Sequence, residues 1–551
     1  MQEVILDIRH LTLEAGDQKL VSGIGMKLER GKFTGLAGES GSGKTLTALS
    51  ILGLLPPAVR MTTGSILFSP SQGPVADLAT LSPKKMHGIR GHRISMIFQE
   101  PMTSLNPSMR CGGQVSEVIR LHLGGNHRSV RSRVLELFHE VKLPDPIRIY
   151  RSWPHQLSGG QRQRVMIAMA LATHPELVIA DEPTTALDVT VQKSILDLLA
   201  ELREKYRLTI LFITHDLMVL KQIADRMVIM YRGKLVESGS TRQILTTPED
   251  PYTKGLIACK PGLDRAPYRL PTVADFMSGK KPETRTLKKT EIPPEAVPLL
   301  CVRNLNTWYY RDRGKEMTKA VHDVSFDVYR GETMGLVGES GCGKTTLGRT
   351  ILRLIEATSG DIEYRGKDLL AYSPSDLRRI RRKIQVVFQD PYSSLSPRRT
   401  AGQIIREPME VHHLGDGGTV RRERTVRLLE QVGLQPSDVN RYPHEFSGGQ
   451  RQRIGIARAL ACEPEFMILD EAVSALDVSV QAQILNLLNE LKQAYRLTYI
   501  FISHDLTVVK YMSDRILVMK DGSIVETGTA ESIYGTPSHP YTGKLIRSIP
   551  G

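Results

Sequence analysis

Along the chain, short and wholly apolar runs alternate with longer stretches of helical pattern. In the first half VILDI, KFTGLAG, ISMIF, LVIAD and TILFITH predict strands, and TLTALSILGLL and QRVMIAMALAT predict helices. Short runs without a polar face belong to strands covered on both sides. Their alternation with helices predicts an α/β fold built on mostly parallel sheets.

The whole pattern occurs twice. GESGSGKT at Gly38–Thr45 returns as GESGCGKT at Gly338–Thr345. Lys44 and Lys344 are 300 residues apart and Gln99 and Gln389 are 290 apart. The pairs Ser158/Ser447, Asp181/Asp470 and His215/His504 are each separated by 289. An offset this long and this steady marks a duplicated domain, since solenoid periods run to only about 20–50 residues. The fall from 300 to 290 puts about ten extra residues in the first copy, for which the turn-rich Leu67–Leu81 is the expected site.

Between the copies, Cys259–Leu300 holds seven prolines (261, 267, 271, 282, 293, 294 and 298) and the polar run SGKKPETRTLKKTE. Proline fixes φ and removes a donor, so an irregular, partly extended tether with little helix is expected. The expected division is a first domain over 1–262, a proline-rich linker over 263–298 and a second domain over 299–551.

Composition adds bounds. A chain of 551 residues is too long for one hydrophobic core, and its 40% hydrophobic content is that of an ordinary globular protein. The net charge of +14 fits either a Lys/Arg-rich solvated surface or an affinity for anions, whether nucleotide, anionic membrane or nucleic acid. Five scattered cysteines, with no CxxC pair, indicate neither a disulfide framework nor a structural zinc, and a reducing cytoplasm fits. Met1 opens directly onto strand-like sequence, so no signal peptide is expected. No apolar run approaches the roughly 18–20 residues that span a bilayer.

The glycine loops carry the first chemistry. GxxxxGK[ST] between a strand and a helix is a phosphate-binding context, in which backbone N–H groups and a helix N-terminus face the anion. The expected cradle is Gly38, Gly41, Ser42 and Gly43 in one copy, and Gly338, Gly341, Cys342 and Gly343 in the other. Lys44 and Lys344 are expected to reach the β- and γ-phosphates, and Thr45 and Thr345 to ligate Mg²⁺. LVIADE and FMILDE end apolar strands in acidic pairs. Asp181 and Asp470 are expected to hold Mg²⁺, and Glu182 and Glu471 to polarise an attacking water.

Further motifs resemble those of ABC-type ATPases. LSGGQ (Leu157–Gln161) and FSGGQ (Phe446–Gln450) are similar to the family signature, and IFQEP and VFQDP to its Q-loop. TALD and SALD, with Asp188 and Asp477, resemble the D-loop, and ITHD and ISHD the switch histidine. The resemblance implies two tandem P-loop domains, each with an antiparallel β subdomain and an α-helical subdomain beside the parallel core. It also implies two ATP molecules sandwiched head to tail. One site would join Lys44, Thr45, Gln99, Asp181, Glu182 and His215 to Ser158's counterpart turn, Ser447, Gly448, Gly449 and Gln450. The other would join Lys344, Thr345, Gln389, Asp470, Glu471 and His504 to Ser158, Gly159, Gly160 and Gln161. Gln99 and Gln389 would share the Mg²⁺.

Departures from the family pattern are informative. The family stacks an aromatic on adenine; copy two offers Tyr309 (or Tyr310), whereas copy one has Ala15 there. Losing a stack costs on the order of 1 kcal/mol, so weaker ATP binding is expected at the first site. Ala472 stands where copy one has Pro183, a tolerated change. Cys342 lies at a helix N-terminus, which is expected to lower its pKa; the alternative is a small filler residue. The pair His412–His413 reads as a solvated helix end.

Each copy closes on a similar tail, DPYTKGL (Asp250–Leu256) or HPYTGKL (His539–Leu545), resembling ATPases that serve peptide and nickel importers. The expected partners are two transmembrane permease subunits, which would meet residues 99–107 and 389–397, and an extracytoplasmic solute-binding protein. Peptide is the leading cargo, with nickel or a metal chelate as the alternative. The protein would sit peripherally on the cytoplasmic face of a prokaryotic inner membrane. A single Cys259 after the first tail implies no iron–sulfur cluster. The competing class, a soluble tandem factor on ribosomes or DNA, resembles proteins with charged helical linkers or zinc cysteines; neither is present, so no nucleic-acid partner is expected.

Both sites retain a glutamate and a histidine, so both are expected to hydrolyse ATP. Glu182→Gln with Glu471 intact should leave measurable turnover in a steady-state ATPase assay, and complete loss would exclude two independently competent sites.

Overall fold

The computed structural model describes residues 3–99, 104–184, 187–263, 266–280, 285–287, 289–290, 292–311, 316–390, 394–474 and 476–549. Each copy is built around a six-stranded sheet. In the first copy the order is Lys234–Ser240, Arg226–Tyr231, Phe33–Ala37, Thr209–Thr214, Leu177–Asp181 and Ile94–Ile97. All neighbours pair in parallel except the outermost two, which form an antiparallel hairpin. The second copy repeats it with Ser523–Thr529, Arg515–Lys520, Thr333–Val337, Thr498–Ile502, Phe466–Asp470 and Ile384–Val387. Every residue of Phe33–Ala37, Leu177–Asp181 and Thr209–Thr214 is buried, as the unbroken apolar runs require.

A four-stranded antiparallel sheet packs beside each parallel core. Val4–Ala15 pairs with Gln18–Glu29 on one side and Arg60–Phe68 on the other; Pro298–Arg311, Glu316–Tyr329 and Ser359–Tyr364 repeat the arrangement. Helices Cys111–His122, His127–Glu140 and Gly159–Leu171 form a third layer, matched by Ala401–Val411, Gly418–Gln431 and Gly448–Leu460.

Register refines the position of the extra residues in the first copy. Leu6 faces Phe68 as Leu300 faces Tyr364, and Leu67 faces Asp77 as Glu363 faces Asp368. The offset is therefore 296 at Phe68/Tyr364 and 291 at Asp77/Asp368. The insertion is split: part of it precedes Arg60–Phe68, in the proline-containing turn, and part lies in the hairpin that follows.

Described residues of the segment between the copies are fastened to the second copy at several points, and the turn at Val273 packs against Gly255 of the first copy. The Asn486 side chain accepts from Leu270 N (2.8 Å) and donates to Leu270 O (2.9 Å), and Asn486 and Leu270 are both buried. The Lys289 ammonium donates to the carbonyls of Lys510, Tyr511 and Ser513, closing the end of the helix Leu506–Met512. Tyr268 donates to Gln493, and Lys510 to Leu263 O. A single helical turn, Val273–Met277, starts at a Thr272 capping box. Pro298, at the first position of its strand, already belongs to the second copy's antiparallel sheet.

Asn486→Ala removes both bonds to Leu270 and leaves a buried N–H and C=O without partners. A loss of about 2 kcal/mol in chemical denaturation is expected, together with faster tryptic cutting within 260–290. Unchanged cutting would mean that this bond pair does not hold the segment down.

Candidate functional site

The strand Phe33–Ala37 ends at Gly38, and the helix Lys44–Ile51 begins at Lys44, so the glycine loop spans one turn from sheet to helix. Gly38 has φ +152°, and a Cβ there would lie 2.1 Å from the Met230 carbonyl oxygen; Gly338 has φ +157°, with Met519 O at 2.2 Å. Only glycine lets the loop backbone pass that close to the neighbouring strand. Lys44 Nζ donates to Gly38 O and Glu39 O, both at 2.8 Å, and Lys344 repeats these bonds at 2.8 and 2.9 Å. Burial lowers the Lys44 pKa, opposed by the carboxylates of Glu182, Asp477, Asp181 and Glu39.

The acidic pair at each strand end is drawn into the same pocket. Thr45 Oγ1 donates to Asp181 at 3.3 Å and Thr345 to Asp470 at 3.1 Å. Gln99 Nε2 donates to Glu182 at 3.1 Å and Gln389 to Glu471 at 2.7 Å. His215 Nδ1 lies 3.4 Å from Glu182, and His504 Nδ1 lies 3.5 Å from Glu471. Both glutamates sit in the left-handed region, at φ +45° and +49°, with their N–H groups bonded to Ile213 O and Ile502 O at 2.9 Å. Such strain in a non-glycine residue persists only where the surroundings enforce it, and it clusters at functional sites.

Burial raises Asp181 to about 6, with Glu182 adding to the rise, and burial also raises Asp470. Burial would raise Glu471 as well, but the His504 imidazole and the Lys344 charge hold it below the ordinary carboxylate value. His215 is held above its ordinary value by Glu182 despite burial. A buried carboxylate beside a hydroxyl offers hard oxygen ligands, which suits Mg²⁺. Among the described residues no group of three or more His, Cys, Asp or Glu could hold a metal, His412–His413 included.

Ser158 and Ser447 each cap a 13-residue helix through a capping box with Gln161 or Gln450. Ser158 and Gly159 are exposed, as are Ser447 and Gly448, leaving the helix tips free to meet an anion. The contacts that join the copies come from the adjacent aspartate turns. Asp477 accepts from Ser40 N (3.0 Å) and Ser40 Oγ (2.8 Å), and Ser479 Oγ donates to Glu39. Reciprocally, Thr190 Oγ1 donates to Glu339 at 3.3 Å. Asp188 also lines a cavity shared with Ser340, Gly341, Lys344, Thr345, Gln389, Glu471 and His504. Residues from both copies thus border one pocket. The turns continuing the Q-loops fall partly outside the described residues, at 100–103 and 391–393, as do Thr185, Ala186 and Ala475.

Register places Tyr309 opposite Thr318 and Ala15 opposite Gln18, with Val321 and Val21 at matching positions, so alanine stands where copy two has tyrosine. Tyr309 is 40% exposed. The Cys342 expectation needs correction. Its thiol is buried and its pKa is raised, because burial outweighs the lowering by Lys344 and the loop N–H groups.

Sequence reasoning missed Glu39 and Glu339, which occupy unconstrained positions of the loop pattern, and it missed Ser40, Thr190 and Ser479. It also missed the reach of Tyr252 and Tyr541, whose hydroxyls accept from Glu39 N at 2.9 Å and Glu339 N at 3.0 Å. The repeated PYT was the available signal, although a motif does not say where its hydroxyl points.

The sequence matches the ABC transporter family over residues 21–185 and 321–474, and the C-terminal region of oligopeptide/dipeptide transporters over 236–288 and 525–551. It is 46% identical over 541 residues to the glutathione import ATP-binding protein of Salmonella typhimurium strain LT2, covering 96% of this chain and 86% of that protein. The protein of the same name from Pectobacterium atrosepticum is 44% identical over 559 residues, covering 99% and 89%. Among solved structures, the dimeric post-hydrolysis form of the ATP-binding cassette MJ0796 with ADP and Pi is 30% identical. It covers 42% of this chain and 98% of its own, with a TM-score of 0.39.

Buried and with a raised pKa, Cys342 should react with maleimide at pH 7 at least about tenfold more slowly than in the urea-unfolded chain. Equal rates would show an open thiolate.

Proposed function

The chain belongs to the ABC transporter family, and from that premise we propose that its two copies close on two ATP molecules to power an importer of peptides. The observation that carries this reading is the reciprocal contact between copies, Asp477 and Ser479 on the loop of Lys44 and Thr190 on the loop of Lys344. In this reading that contact directs each aspartate turn, and the signature helix beside it, to where the partner copy's nucleotide would bind. The family is one of ATP-hydrolysing subunits, and the peptide assignment follows the tail segments and the relatives named for import of glutathione, a tripeptide.

In this reading the lysines leave the carbonyls of Gly38 and Gly338 to meet the β- and γ-phosphates. Thr45, Gln99 and Asp181, with Thr345, Gln389 and Asp470, would hold Mg²⁺, which when bound would offset charge on the phosphates. Glu182 and Glu471 orient the attacking water, and His215 and His504 fix those carboxylates from the other side. Ser158–Gln161 and Ser447–Gln450 present helix N-termini to the γ-phosphate across the interface. Tyr309 stacks on adenine at the second site. Closure pulls two permease subunits toward an outward-facing state, and hydrolysis reopens the copies.

Exposed apolar side chains support a permease contact: Leu54 and Phe98 in the first copy, and Leu354 beside a groove lined by Leu377, Ile380 and Val386 in the second. No helix among the described residues is long and apolar enough to cross a membrane. In this reading the chain docks on permeases at the inner face of the membrane, and a solute-binding protein delivers cargo outside.

The double substitution Glu182→Gln with Glu471→Gln should lower ATP turnover at least about 100-fold. Peptide uptake by vesicles carrying the chain and its two co-purified membrane subunits should fall with it. Uptake that persists without turnover would refute the motor role, and salt-sensitive capture of ribosomes or DNA in place of membrane subunits would refute the importer.

A further inference from the structure

The tail that follows each catalytic core returns to the nucleotide loop. Tyr252 is fully buried in the helix Pro251–Ala258, and Tyr541 is 7% exposed in Pro540–Arg547. Each hydroxyl accepts from the backbone N–H of the residue after the first loop glycine, Glu39 at 2.9 Å and Glu339 at 3.0 Å. The carbonyl of that same peptide unit, Gly38 O or Gly338 O, accepts from the loop lysine at 2.8 Å. One peptide plane is thus clamped at both ends, by a lysine on its oxygen and a tyrosine on its nitrogen.

The rings are fixed as well. Tyr252 packs on Tyr231 with centroids 4.2 Å apart, and Lys520 lies 5.3 Å over the Tyr541 ring. Tyr231 and Lys520 end the strands Arg226–Tyr231 and Arg515–Lys520, which border the strands leading into the glycine loops. The clamp is therefore built from the same elements in both halves.

We propose that Tyr252 and Tyr541 are positioning residues that keep the first peptide plane of each glycine loop in its nucleotide-receiving orientation. The role rests on the ATP-site reading above. When the lysine moves to the phosphates, its bond to the glycine carbonyl is lost, and the tyrosine hydroxyl becomes the remaining clamp on that plane. Without it, the N–H of Glu39 or Glu339 loses its partner, and the loop can rotate away from the geometry that gathers its N–H groups on one anion.

The test uses the full chain with Tyr252→Phe and Tyr541→Phe combined, which keeps the rings and removes only the hydroxyls. The expected result is a roughly tenfold rise in KM for ATP, with kcat within about twofold of wild type. Cys259→Ala, a buried position at the end of the first tail helix, loosens packing without touching the loop and should leave KM unchanged. Wild-type KM in the tyrosine variant overturns the role, as does an equal KM change in Cys259→Ala, which would mark a packing effect. A wild-type chain that binds no ATP removes the ATP-site reading and this role together, whereas normal wild-type turnover beside unchanged variants removes this role alone.

Discussion

The hydrogen bonds from Ser40 to Asp477 are the constraint on which the rest depends. They tie the turn that opens one copy's signature-bearing half to the loop that would cradle the other copy's nucleotide. The two junctions are not identical. Asp477 gives both carboxylate oxygens to Ser40, while Asp188 turns back to its own helix, accepting from Val191 N at 2.9 Å and Thr190 Oγ1 at 2.6 Å. On that side the Thr190 hydroxyl, shared between Asp188 at 2.6 Å and Glu339 at 3.3 Å, makes the crossing. One hydroxyl proton divided between two carboxylates holds less firmly than the backbone N–H and hydroxyl that Ser40 gives to Asp477, so the fused chain has two unlike seams.

Behind each seam lies an acidic pair, and in the second copy its members are shifted in opposite directions. Asp181 and Asp470 are pushed up by burial, whereas Glu471 is held down by its histidine. Opposed environments of this kind are how neighbouring carboxylates come to differ in charge, and under the proposed function they would divide the labour between cation and water. The strained φ values of Glu182 and Glu471 show how the backbone delivers the second carboxylate. The strand ends at the aspartate, and the chain must reverse at once to aim the glutamate into the same pocket.

Much of this was legible in the sequence because it follows from local pattern. The buried strands are the unbroken apolar runs, and the helices Lys44–Ile51 and Gly159–Leu171 begin at the glycine and capping motifs that announce them. What was not legible depends on tertiary reach. Lys289 and Leu270 look like tether residues until the second copy supplies carbonyls and an asparagine to receive them. The thiol at Cys342 illustrates competing terms: proximity to a helix N-terminus is visible in a sequence, but desolvation is not, and desolvation wins. Ten extra residues could be counted from motif spacing, yet only strand register shows that four precede Phe68, five lie in the hairpin after it and one follows Asp77.

The docked tether has a further consequence. Since it packs on both copies, the connecting segment holds each near the other, with an effective concentration on the order of millimolar or above. Such tethering favours pairing of the two unlike halves within one chain over pairing of like halves from two chains. The order of the halves along one polypeptide also fixes which seam is which for the lifetime of the molecule.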